Sequence, residues 1–101
     1  RPYKFTLGVT YNTSRAKLEQ LMADLTAMLE ASPYVEKGSA LVRLTSFGDS
    51  SINLLVSAYL LTNQAGTFLQ MQNDLNLNVM DVMQKNNVDF AFPSTTVYLS
   101  K

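Results

Sequence analysis

Histidine and cysteine are both missing from the 101 residues, so carboxylates, hydroxyls and a few basic side chains are the groups left to do chemistry. Without an imidazole there is no usual general base near neutrality, no imidazole metal ligand and no Ser-His-Asp triad. Without a thiol there is no thiolate nucleophile, disulfide framework or zinc-thiolate site. Gly8, Gly38, Gly48 and Gly66 stand too far apart for a dinucleotide-binding turn or a phosphate-cradling loop. Asp49, in Gly48-Asp49-Ser50-Ser51, is the most suggestive carboxylate. It could contact a ligand or a neighbouring subunit, but turn residues of this kind bond mostly to their own backbone, and that is the expected role. Asp24, Glu30, Asp74 and Asp81 fall on the polar sides of predicted helices, where a solvated charge is the rule. No catalytic residue, metal site or cofactor is expected.

The elements that carry these groups centre on the stretch from Phe47 to Val56. Gly48-Asp49-Ser50-Ser51 separates two β-prone runs, Leu41–Phe47 and Ile52–Thr62, and reads as a hairpin turn in which Gly48 can take a positive φ. Along the second run, the longest strand expected, Ile52, Leu54, Val56, Ala58 and Leu60 point one way. Asn53, Leu55, Ser57, Tyr59 and Leu61 point the other. A strand apolar on one face and part of the other belongs in the middle of a sheet.

Upstream, Tyr3, Phe5, Leu7, Val9 and Tyr11 alternate with Lys4, Thr6, Gly8 and Thr10, a period-two strand. Asn12-Thr13-Ser14 ends it and offers N-cap side chains; the triplet also matches a glycosylation acceptor, but capping is the better reading. Leu18, Leu21, Met22, Leu25, Met28 and Leu29 form one face of a helix over 15–31, closed by Ser32-Pro33. Glu36-Lys37-Gly38-Ser39 is a loop.

Thr62-Asn63-Gln64 can cap a second helix over 65–86, whose core stripe is Phe68, Met71, Leu75, Val79 and Val82. Leu69, Leu77 and Met80 fall about 120–200° from that stripe and are candidates for a second buried surface. Asn87 suits a left-handed cap, and a last strand is expected from Thr95 to Leu99. The order βαββαβ, with right-handed crossovers, gives an α+β ferredoxin-like sandwich: a four-stranded antiparallel sheet, first and third strands central, with two helices on one face.

Composition narrows the function. One domain is expected, and eight basic residues balance eight acidic ones. Arg15 with Lys17 is the densest basic pair, too little for nucleic acid to be the main partner. Charged residues make up 16% of the chain, against about 25% in a typical soluble domain. That depletion points to a surface covered by a partner, as in an oligomer or a multidomain parent. No run is long enough to span a membrane, no signal peptide opens the chain, and its start at Arg1 suggests a piece of a longer protein.

Other users of the same fold fit poorly. An RNA-recognition domain needs stacking aromatics in a basic surround, a copper carrier needs paired cysteines, and an acylphosphatase needs an arginine-bearing loop after the first strand. Gly8-Val9-Thr10-Tyr11-Asn12 supplies no such loop, and Arg43 belongs on a sheet surface. The five methionines lie in the two helices and read as adaptable core filler, except Met80, which shares a flank with Leu69.

Several of these residues, in order along nearly the whole chain, carry a resemblance. Phe47-Gly48-Asp49-Ser50-Ser51-Ile52-Asn53-Leu54, Leu75-Asn76-Leu77 and Val88-Asp89-Phe90-Ala91-Phe92-Pro93, then Val97-Tyr98-Leu99, resemble the C-terminal cytoplasmic α/β domain of the MscS family of small-conductance mechanosensitive channels. Gly8-Val9-Thr10-Tyr11-Asn12-Thr13 and Ser32-Pro33-Tyr34-Val35 are similar too. Asn87 stands where the family usually has glycine, and Ala91-Phe92-Pro93-Ser94 replaces its common Pro-Phe-Pro-Gln. The resemblance implies a homo-heptameric channel of the bacterial inner membrane, anchored by transmembrane helices of the parent protein. This chain would be a non-catalytic wall of the cytoplasmic vestibule, passing ions and small solutes under osmotic stress. Leu69, Leu77 and Met80 would then contribute to subunit contacts. The alternatives are a dimeric ferredoxin-like module that senses a small molecule, and a plain interaction domain of a soluble protein.

Overall fold

The computed structural model describes residues 1–92 as three strands and two helices, in the order β1 (Pro2–Val9), α1 (Arg15–Ala31), β2 (Leu41–Phe47), β3 (Ile52–Tyr59), α2 (Ala65–Lys85). The expected last strand, Thr95 to Leu99, lies outside the described residues. The sheet is antiparallel with the order β1-β3-β2, so the strand after the Gly48 turn is central, as its two-sided hydrophobicity requires. It is shorter than expected. Past Tyr59 the pairing with β1 runs one residue further, the Leu60 N–H bonding the Arg1 carbonyl at 2.7 Å. The chain then turns away, the Leu61 N–H bonding the Tyr34 carbonyl at 2.8 Å. β1 and β3 are each eight residues long, so neither is the longest.

Register sets the core. Tyr3 faces Ala58, Leu7 faces Leu54, Val9 faces Ile52 and Val42 faces Val56, and all eight are buried on one side of the sheet. Lys4, Thr6 and Arg43 lie exposed on the other side. Both helices cover the apolar side: Leu18, Leu21, Leu25 and Leu29 of α1 and Leu75, Val79 and Met83 of α2 join the same cluster. Each fully buried leucine contributes about 1.5–3 kcal/mol relative to an exposed one. The buried stripe of α2 is turned slightly from the expected one. Met83 is in the core, while Phe68, Met71 and Val82 are half-buried at its margin.

The helix ends differ in how they are satisfied. Ser14 caps α1, its hydroxyl accepting the Lys17 N–H at 3.3 Å, and Ser32 in extended conformation ends the helix before Pro33. Gln64 precedes α2 without a side-chain cap, contrary to the expectation for Thr62-Asn63-Gln64; its N–H bonds the Thr62 hydroxyl instead. At the other end of α2, Asn87 takes φ 54°. The Asn87 N–H bonds Gln84 O at 3.0 Å and the Val88 N–H bonds Met83 O at 3.1 Å. That is a Schellman closure, sealed by the burial of Val88 and Met83.

The hairpin turn also departs from expectation. Gly48 is not among the positive-φ residues; Gly38 is, at 83°. A Cβ at position 48 would meet Asn53 Nδ2 and Ser51 Oγ at 3.3 Å and Ser51 O at 3.4 Å, so the glycine is there for space. β2 carries a bulge just before it: Leu44 faces Leu54, but Ser46, not Thr45, faces Asn53.

Candidate functional site

Leu69, Leu77 and Met80 all stay outside the core, 62%, 53% and 55% exposed on one flank of α2. The flank adjoins the β1 side of the sheet, where the Tyr3 hydroxyl donates to Asn76 Oδ1 at 2.7 Å. Burial pushes the Tyr3 phenol up to about 12, so it remains a donor at any physiological pH. Met80 divides two cavities. One, of about 440 Å³, runs under α2 along Tyr3, Phe5, Asn76 and Val79. The other, of about 640 Å³, opens past the helix end among Asp81, Gln84, Asp89, Phe90 and Phe92. Phe92, 79% exposed, extends the apolar flank. Sequence reading missed it because an apolar residue before a proline, between two elements, gives no periodicity to read.

The carboxylates are placed otherwise than expected. Asp24 is no freely solvated charge: it accepts from Asn86 Nδ2 at 3.0 Å and Gln20 Nε2 at 2.8 Å, and pairs with Lys85 at 3.6 Å. Those bonds, Asn86 first, hold its carboxyl below the usual range. Asp74 accepts the Tyr34 hydroxyl at 2.8 Å, which lowers its pKa and raises that of Tyr34. Glu30 accepts the Gly38 N–H at 2.8 Å and the Ala40 N–H at 3.0 Å, and these bonds likewise keep it ionised. Each carboxylate ties one element to another: α1 to the end of α2, the 32–36 turn to α2, α1 to the 38–40 loop. Asp81 is exposed, as expected.

Asp49 is exposed and makes no side-chain hydrogen bond among the described residues. The turn is organised instead by the Ser51 hydroxyl donating to Asn53 Oδ1 at 2.6 Å, Asn53 Nδ2 donating to Ser46 Oγ at 3.0 Å, and the Tyr11 hydroxyl donating to the Gly48 carbonyl. Arg43 lies on the sheet surface, donating to the Val42 carbonyl at 2.8 Å. Among the described residues no three acidic, histidine or cysteine side chains group closely enough to hold a metal ion, and no helix is long and apolar enough to cross a membrane. The arrangement is one of structural ties beside an unpartnered apolar flank.

Comparison with known proteins identifies the scaffold. The family model "Mechanosensitive ion channel MscS, C-terminal" matches residues 3–90. An uncharacterized MscS family protein of Aquifex aeolicus is 37% identical over 102 residues, covering 100% of this chain and 28% of that protein. The low conductance mechanosensitive channel YnaI of Escherichia coli is 33% identical over 95 residues, covering 93% of this chain and 27% of that protein. The chain thus spans little more than a quarter of the length of these relatives. In fold, it is similar to the Arabidopsis thaliana MSL1 cryo-EM structure, with a TM-score of 0.79 at 16% identity over 95% of this chain and 34% of that one. The crystal structure of Helicobacter pylori MscS in its closed state gives 0.72 at 17% identity over 100% of this chain and 38% of that one. The chain belongs to the MscS family of mechanosensitive ion channels and corresponds to its C-terminal domain.

Proposed function

We propose that this chain is a non-catalytic wall of the cytoplasmic vestibule of a homo-oligomeric mechanosensitive channel, a heptamer of the bacterial inner membrane that releases ions and small solutes under membrane tension. The membrane is reached through other parts of the parent protein. The observation that carries the reading is the exposed flank of Leu69, Leu77 and Met80 in a chain matched to the family's C-terminal domain. Three large apolar side chains on one flank of a single helix cost solubility unless a partner covers them. Here the partner is a neighbouring subunit. The absence of histidine and cysteine supports a passive role.

In the same reading the sheet is a ferredoxin-like sandwich with a fourth strand at the outer edge of β1. Support comes from the antiparallel bridge between Val9 and Phe90, with the Thr10 N–H on Asp89 O at 3.2 Å and the Ala91 N–H on Gly8 O at 2.9 Å. Lys4 and Thr6 present their N–H groups on that same outer edge, so slow amide exchange at both is expected if the strand is there.

The test of function is patch-clamp recording of the full-length protein in membranes lacking other mechanosensitive channels. Tension-gated openings are expected, and a Leu69→Asp, Leu77→Asp, Met80→Asp variant is expected to lower the oligomer measured by light scattering in detergent. A soluble parent protein without tension response, whose thermal stability rises with an amino acid or nucleotide, would replace this reading with a metabolite sensor.

A further inference from the structure

A ring of identical chains closes through a heterologous contact, in which one face of each chain meets a different face of the next. Granting the reading above, α2 supplies one face and a second must receive it. Phe47, 70% exposed, rims a groove of about 490 Å³ whose walls include Leu18, Met22, Leu44 and Ile52. This groove lies across the helix layer from the α2 flank. α1 packs over β2, which forms the groove's other wall, whereas α2 meets β1 through Tyr3 and Asn76.

The net charges around the two faces are opposite: two acids against Lys4 beside Met80, two arginines against Glu19 at the groove. Asp81 and Asp89 line the cavity beside Met80, and neither is ion-paired among the described residues. Arg15 stands on the groove's rim; Arg43, rooted on the other side of β2, turns back to the Val42 carbonyl and lines the adjoining cavity with Glu19. Glu19 reaches Arg15 at 3.7 Å, but both side chains are largely exposed, a weak pairing that leaves Arg15 available to a partner. Pairing α2 flank against α2 flank would bring acid against acid, which disfavours a self-complementary contact.

We propose that the Phe47 groove is the receiving face for the α2 flank of a second copy of this chain. Leu77 and Met80 enter against Phe47 and Leu44, and Asp81 faces Arg15 and Arg43.

The lack of native cysteine in this domain makes thiol trapping clean. In the full-length protein, with any cysteines outside the domain replaced, Phe47→Cys and Leu77→Cys are combined on one chain, oxidised mildly and run without reductant. The expected result is a ladder extending beyond dimer for the double variant and monomer for each single one. Dimer from Leu77→Cys alone means that flank meets flank, which overturns the groove but keeps α2 as a subunit contact. No ladder, while Leu77→Asp still lowers the oligomer, also overturns the groove alone. No effect from either removes the α2 contact as well. A second arm uses exposed positions that leave the core untouched. Arg15→Glu with Arg43→Glu is expected to weaken assembly at least tenfold, and Asp81→Arg added to the pair is expected to restore part of it. A pair that assembles normally, or a loss that Asp81→Arg leaves unrestored, overturns the proposal.

Discussion

The two helices are built from similar residues and put them to different ends. α1 spends its large apolar side chains on the core: Leu18, Leu21, Leu25 and Leu29 are buried, Met22 and Met28 half-buried, and none is exposed. Its outer face is alanine and charge. α2 buries Leu75, Val79 and Met83 and leaves Leu69, Leu77 and Met80 in solvent. One helix carries what its own fold needs, the other carries more. Apolar surface beyond the needs of the core is what the proposed subunit contact would use, and the contrast within one small domain supports that proposal more than exposure alone.

The contrast can be broken most directly at one leucine on each helix. Leu25→Ala is expected to destabilise the isolated chain by about 2–5 kcal/mol, since it opens a cavity in a packed core. Leu77→Ala is expected to change stability by no more than about 0.5 kcal/mol. Urea unfolding of both variants decides; equal losses would show that the flank is core after all.

Acid sharpens a different part of the comparison, the bond between the helices. Asp24, Glu30 and Asp74 have folded pKa values below their usual ones, so the stability they contribute is complete above about pH 5. It is lost as pH falls through the unfolded value near 4 toward the lower folded value. The urea midpoint should hold steady above about pH 5 and decline below it, and Asp24→Asn should make the decline shallower. An unchanged acid slope in Asp24→Asn would remove it from the tie between α1 and α2.

The smallest effects lie at the helix starts. Ser14→Ala is expected to cost about 1 kcal/mol, whereas Gln64→Asp should gain up to about 1 kcal/mol by supplying the cap that α2 lacks. Thermal melts of the two variants should therefore shift in opposite directions.

What could be read from sequence follows the same division between local and non-local causes. Periodicity located both helices, the central strand and the exposed flank, because spacing alone decides which side chains share a face. The Asn87 closure was legible for the same reason: only a few residue types tolerate a positive φ. The roles of Asp24, Glu30 and Asp74 were not legible. Asp24 and Asn86 are 62 positions apart, Asp74 and Tyr34 are 40 apart, and nothing in either neighbourhood announces the meeting. Gly48 misled because glycine signals two things, a positive φ and a lack of room, and local sequence does not separate them. The bulge at Thr45 gave no sign at all, since it depends on how two strands share their pairing.

That bulge has a geometric consequence. Side chains on a strand alternate, so one additional residue exchanges the faces of everything after it. With it, Phe47 lies opposite Ile52, on the helix-covered side. In an uninterrupted ladder Ser46 would take that place, and Phe47 would point to the bare face of the sheet. Position along the chain here encodes side, and no substitution at Phe47 can reproduce the change. Shortening the strand by Thr45 alone would carry an aromatic ring from one surface of the domain to the other with its chemistry intact.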